Sequence, residues 1–261
     1  MNECHILSLS GGKDSTALAF FIKENMPEIH KKIEYVFCDT ECELPGTYDY
    51  LNKIEIFLEK PILRLKPDKS FEHLMEVQSY FPSPIKRWCT VELKAKPFEK
   101  YIKNLFQIEN KDIVYLYIGI RADELKRAKY NKYNNQKIKE VYPFVDNGIM
   151  KNDVLDILSS SGIGLPDYYK WSNRSGCYFC PFQTKMNWLN LHKFHPDLFL
   201  KAKKYEDEKN PPGCNFKRVG WNLDLSLEDI LKNKEKIIED YKRKQEKIKS
   251  KLKKDKLIDR F

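Results

Sequence analysis

The densest group of reactive side chains near the amino terminus is Ser10-Gly11-Gly12-Lys13-Asp14-Ser15-Thr16. Two glycines let backbone pass close to a ligand, and free N–H groups at a helix start point towards an anion. Lys13 adds a cation, and Ser15 and Thr16 add hydroxyl donors. Phosphate or pyrophosphate is the guest this chemistry suits. A Walker A loop needs four residues between its first glycine and Gly-Lys-Ser/Thr, and here Lys13 is followed by Asp14, so this is a different loop. The bland alternative is a glycine turn that merely begins a helix.

Two other polar positions belong with it. Asp39 follows an apolar run and would sit at a strand's carboxyl end, able to hold a ribose hydroxyl, an adenine edge or Mg²⁺. Arg121 follows the clearest strand in the chain and can offer a planar fork to phosphate or sulfate oxygens. A helix cap for Asp39 and a surface ion pair for Arg121 are the competing roles.

The seven cysteines are odd in number and unevenly spread, which suits thiols or metal ligands better than a disulfide framework. Cys177-Tyr178-Phe179-Cys180 puts two soft ligands on one metal or cluster. With His192 and His195 it gives a near Cys₂His₂ zinc pattern, though both later gaps fall one residue short. Redox thiols are the third reading. Cys4 reads as core packing, and Cys38 and Cys42 flank Asp39.

The elements that must position these residues alternate. Apolar strands are expected at 4–9, 33–40, 61–65 and 113–120, and helices after the glycine loop, over 47–59, over 69–78 and up to about 105. Such alternation predicts an α/β fold with a doubly wound, mostly parallel sheet. After residue 165 aromatics and cysteines cluster through 168–182. A helix is expected over about 185–205, and Ser226-Leu227-Glu228-Asp229 reads as a capping box for a final helix. The expected division is 1–165 for the nucleotide domain, 166–225 for a Cys-x-x-Cys region and 226–261 for a basic helical tail.

Several stretches, in order, resemble one family. Ser10 to Ser15 is similar to the pyrophosphate loop of the PP-loop ATPases, which split ATP between the α and β phosphates. Cys38-Asp39-Thr40-Glu41-Cys42-Glu43-Leu44-Pro45-Gly46-Thr47 resembles the Asp-Thr-Gly-x-Glu-x-Pro-Glu-Thr segment of the phosphoadenosine phosphosulfate (PAPS) reductase branch. Gly119-Ile120-Arg121-Ala122-Asp123-Glu124, with Arg127 following, resembles its Gly-Ile-Arg-x-Asp-Glu motif. Tyr142-Pro143-Phe144-Val145-Asp146 and Asp153-Val154 resemble a further segment.

The resemblance implies a nucleotide site made of Ser10 to Thr16, Asp39, Thr40, Gly119, Arg121, Asp123 and Arg127, taking ATP or an adenylyl sulfate with Mg²⁺. Lys13, Asp14, Cys89, Cys177 and Cys180 would carry the chemistry. In some members, adenylylsulfate reductases and the ATPase component of DNA phosphorothioation systems among them, segments like those of Cys89 and Cys177-x-x-Cys180 bind a [4Fe–4S] cluster. Adenylylsulfate reductase has two adjacent cysteines where this chain has Trp88-Cys89, so Cys214 is the expected fourth ligand. The Glu-Cys-Gly-Leu-His segment of thioredoxin-dependent reductases does not occur in these residues. Three functions follow as expectations: an adenylating sulfurtransferase drawing on a cysteine desulfurase, a PAPS or adenylylsulfate reductase, or a non-catalytic nucleotide-binding module.

Charge separates body from tail. From Lys232 to Phe261 there are 13 Lys and Arg against 6 Asp and Glu, a balance of +7 out of a total of +9. A Lys-rich helix on a near-neutral body suits DNA or tRNA phosphates, with a solvated or protein-docking helix as the alternative. The absence of a basic n-region with an apolar core, and of any long apolar run, makes the expected location cytoplasmic, with no membrane partner.

Overall fold

The computed structural model describes residues 2–128, 135–172, 176–211, 220–222 and 224–258; of these, the side chains of 249 and 251–258 are not described. Strands β1 (Glu3–Leu9), β2 (Ile33–Cys38), β3 (Ile62–Leu65), β4 (Ile113–Tyr117) and β5 (Ile138–Val141) form one sheet. Their order is β3-β2-β1-β4-β5 and every pairing is parallel. β1 is central, with Leu7 opposite Tyr35 of β2 on one side and Tyr117 of β4 on the other.

Strand alternation splits the core into two layers. Cys4 and Ile6 pack with Val36, Phe98, Ile102, Leu105 and Val114. Leu7 and Leu9 face the other way, into a layer built on helix α1 (Lys13–Asn25) and the helices Pro45–Leu58 and Lys151–Ser160. The run Thr16 to Ile22 of α1 is wholly buried, since α1 lies between the sheet and the Lys151–Ser160 helix.

This order sets the site. The chain leaves β1 towards β2, while β4 lies on β1's other side. The loops after β1 and β4 therefore flank the switch point, where open sheets keep their ligands.

By contact, the chain divides into two compact units, Met1–Leu74 with Trp88–Cys177, and Met75–Arg87 with Tyr178–Phe261. The second has an aromatic core. Trp221 stacks on Phe179 at 4.9 Å between ring centres, meets Phe81 edge-on at 4.6 Å, and donates its indole N–H to the Ala202 carbonyl at 2.9 Å. No described helix is long and apolar enough to cross a membrane.

Local chemistry moved several boundaries. The segment 185–205 is two helices, Lys185–Phe194 and Pro196–Glu208, because Pro196 supplies no N–H and forces His195 out of helical geometry. The helix expected over 47–59 begins earlier, at Pro45, since a first-turn proline needs no N–H. Pro97 is accommodated by a widened turn at Val91–Ala95, where the Lys96 N–H bonds five residues back to Val91. The Ser226 capping box forms as expected, but its helix ends at Lys232 and a new one runs from Lys234 to Ile258. β5 was missed because Ile138-Lys139-Glu140-Val141 is a short, partly exposed edge strand with little periodicity.

Burial makes one reactivity forecast. Cys4 is 4% exposed, and burial, reinforced by Glu34, pushes its thiol up to about 12. At about pH 8, near an ordinary thiol's pKa, iodoacetamide should spare Cys4 in the folded protein and label it in denaturant. Mass spectrometry of the labelled peptide checks this; rapid labelling without denaturant would contradict the placement of β1.

Candidate phosphate-binding site

Helix α1 begins at Lys13, with Gly12 as its N-cap and no side-chain cap. Asp14 and Ser15 lie inside its first turn. Gly11 has φ +65°, a left-handed conformation that costs other residues about 1–2 kcal/mol. Three amides at this bend carry hydroxyl oxygens. Ser10 N–H donates to Ser15 Oγ at 3.1 Å, Gly12 N–H to Ser10 Oγ at 3.3 Å, and Lys13 N–H to Tyr169 Oη at 3.3 Å. The Ser15 hydroxyl also donates back to the Gly12 carbonyl at 3.2 Å.

The cations meet on one carboxylate. Lys13 Nζ lies 2.5 Å from Asp14 Oδ2, and Arg121 Nη1 lies 2.8 Å from Asp14 Oδ1. Arg121 closes its fork on Asp123, through Nε to Oδ1 at 2.9 Å and Nη2 to Oδ2 at 3.3 Å, with Glu124 at 3.5 Å. Those bonds raise the guanidinium's pKa, Asp123 contributing most, and Arg121 in turn holds the Asp123 carboxyl below the usual range. Asp123 therefore adds stability that is complete above about pH 4 and lost as pH falls through its lowered pKa. Arg127 is exposed and bonds Glu124 at 3.0 Å, so it joins the network only through that carboxylate.

Gly119 explains how the β4 loop reaches α1. A Cβ there would lie 3.0 Å from the Asp14 carbonyl oxygen and 3.1 Å from its carbon, both backbone atoms that cannot swing away.

Asp39 and Thr40 follow β2. Asp39 is buried, and its Oδ1 accepts the Glu41 N–H at 2.9 Å and the Tyr48 hydroxyl at 2.8 Å. Burial and Asp39 together raise the Tyr48 phenol, so it stays a donor. Oδ2 has no hydrogen-bond partner among the described residues. Thr40 donates to the buried Glu43 carboxylate at 3.1 Å, and Lys94 Nζ lies 3.6 Å from the same oxygen.

Residues beyond the expected set connect these pieces. Thr47 Cγ2 lies 3.1 Å from where a Gly11 Cβ would stand, and its Oγ1 only 1.8 Å from a Gly176 Cβ position. Leu44 N–H donates to the Gly176 carbonyl at 2.6 Å, and Glu43 and Cys177 form an antiparallel bridge. Cys177 is thereby set beside the Asp39 segment. Tyr168 donates to the Gly11 carbonyl at 3.1 Å. Aromatic clustering at 168–182 was visible in the sequence, but nothing there said that two adjacent tyrosines return to the first loop.

Cys89 is half-buried and follows Trp88, which stacks on Phe71 at 5.6 Å. Cys180 is half-buried and belongs to the second unit, and Cys214 lies outside the described residues. Among the described residues no three His, Cys, Asp or Glu side chains are disposed to hold a metal ion. His192 packs edge-on against Phe199 at 4.9 Å.

The fold is that of an α/β protein whose glycine loop and β4 loop flank the switch point of a parallel sheet. The chain belongs to the phosphoadenosine phosphosulfate reductase domain family, whose model matches residues 4–181. That is the PP-loop family the sequence motifs resemble. An uncharacterised protein of Methanocaldococcus jannaschii is 25% identical over 88% of this chain and 55% of its own length. An uncharacterised nin region protein of Escherichia phage lambda is 31% identical over 48% of this chain and 50% of its own. The chain thus spans about half the length of the curated relatives it matches. The phosphate complex of the PAPS reductase from Candida auris is similar at a TM-score of 0.48 and 16% identity, over 67% of this chain and 80% of that one.

The Gly119 contact yields a direct test. Gly119→Ala should force apart β4's exit and the start of α1, costing about 1–3 kcal/mol, the usual range for overpacking. Urea denaturation measures it. An unchanged midpoint would mean the two loops do not depend on this approach.

Proposed function

We propose that the chain is a PP-loop ATP pyrophosphatase that adenylates a substrate for sulfur transfer. The observation that carries this reading is the crevice itself, where loop amides and two cations converge beside the start of α1. In this reading the β and γ phosphates of ATP take the places of the Ser10, Ser15 and Tyr169 hydroxyls on the loop amides. Lys13 then exchanges its Asp14 partner for phosphate oxygens. The exchange replaces one carboxylate partner of Lys13 with charged phosphate oxygens, hydrogen bonds to charged groups contributing about 1.5–3 kcal/mol each.

A substrate oxygen attacks the α-phosphorus, and the bond to the β-phosphate bridging oxygen breaks with its electron pair. The loop amides and Lys13 stabilise the departing pyrophosphate. Asp39 Oδ2 fits a Mg²⁺ carried by the nucleotide, which would supply further charge neutralisation. The terminal sulfur of a persulfide on Cys89, Cys177 or Cys180, supplied by a cysteine desulfurase, then displaces AMP. A second of these cysteines attacks the resulting mixed disulfide, which frees the thiolated substrate and leaves a protein disulfide for an external thiol to reduce. The Lys-rich helix Lys234–Ile258 supports a nucleic acid as the acceptor, DNA or tRNA, because its lysines would neutralise backbone phosphates.

The family match favours one second reading, reduction of an adenylyl sulfate held by the same loop. The two part at one product, since only the first releases pyrophosphate from ATP. Lys13→Ala combined with Ser15→Ala should abolish that release in a coupled phosphate assay, run with and without DNA or tRNA. Undiminished release from the double variant would take the loop out of the mechanism. Wild-type protein that binds ATP, yields no pyrophosphate and reduces an adenylyl sulfate would establish the second reading.

A further inference from the structure

We propose that Tyr169 is itself a ligand of the bound anion. Its hydroxyl marks, on the Lys13 amide, the position a phosphate oxygen takes, and then donates a hydrogen bond to that oxygen. This rests on the reading of Ser10 to Thr16 as a phosphate site.

Lys13 is the first residue of α1, so its N–H has no acceptor within the helix. Tyr169 Oη supplies one from 156 residues away at 3.3 Å, beyond the usual 2.7–3.2 Å for an N–H···O bond. The amide is therefore lightly held. An ionised phosphate oxygen makes a shorter, charge-assisted bond to the same donor and displaces the phenol. Accepting from Lys13 leaves the phenol's own proton unused, and that O–H has no acceptor among the described residues. Burial raises the Tyr169 pKa, so the group remains a donor at neutral pH.

The ring cannot drift far once displaced. Tyr169 lies in the short helix Asp167–Lys170, and its neighbour Tyr168 is 3% exposed and anchored to the Gly11 carbonyl. The two rings lie 5.2 Å apart. A small shift of the phenol turns its O–H onto an oxygen seated at the Lys13 amide. Tyr169 thus supplies a neutral donor beside the cationic Lys13, on a segment far from the loop in sequence.

The test is calorimetric titration of the full chain with inorganic pyrophosphate. Tyr169→Phe keeps the ring and removes only the hydroxyl, and should weaken binding about tenfold, or ~1.4 kcal/mol. Thermal melting without ligand should be unchanged, which separates a lost contact from a lost fold. In the wild-type chain, pyrophosphate should protect Tyr169 from nitration by tetranitromethane, read by mass spectrometry. Equal or tighter binding by the variant, or unaltered nitration of the wild type, overturns the proposal while leaving the loop's role intact. Wild-type protein that does not bind pyrophosphate overturns both.

Discussion

The structure turns on one carboxylate. Asp14 accepts Lys13 through one oxygen and Arg121 through the other, which joins the loop after β1 to the loop after β4 across the switch point. Backbone contact at Gly119 brings the two loops together, and the shared carboxylate keeps both cations over the crevice. Asp123 and Glu124 hold the rest of the Arg121 fork, so Asp14 is the one carboxylate that the two loops share.

The same principle runs through the loop. Hydroxyl oxygens sit on the Ser10, Gly12 and Lys13 amides, so the loop leaves few donors unmet. Thr47 adds a mechanical link. It touches the positions that a side chain on either Gly11 or Gly176 would need, so the segment carrying Cys177 is packed against the same framework as the phosphate loop. The family match, ending at residue 181, covers both.

Much of this was legible in sequence because it is local. The strand–glycine–helix order at residues 4–22 is local, and buried strands β1, β2 and β4 declare themselves as apolar runs. The capping box at Ser226 is likewise a short-range signal. What sequence could not give depends on long-range approach. Arg121 as a planar fork was foreseeable; that its fork would close on Asp123 was not, because the rotamer is fixed by packing. Tyr169 on the Lys13 amide and Glu43 bridged to Cys177 depend on contacts spanning more than 130 residues. β5 and the break at Pro196 show the usual limits, an edge strand too short to alternate and a proline whose effect varies with its place in a helix.

In the proposed function the Ser10–Thr16 bend grips the outer two phosphoryl groups of a nucleotide. A crystal structure of the full chain soaked with ATP and Mg²⁺ should show β and γ phosphate oxygens on the Ser10, Gly12 and Lys13 amides, with Lys13 turned from Asp14 onto the ligand. Nucleotide bound elsewhere, with the Ser10, Ser15 and Tyr169 hydroxyls still on those amides, would contradict it.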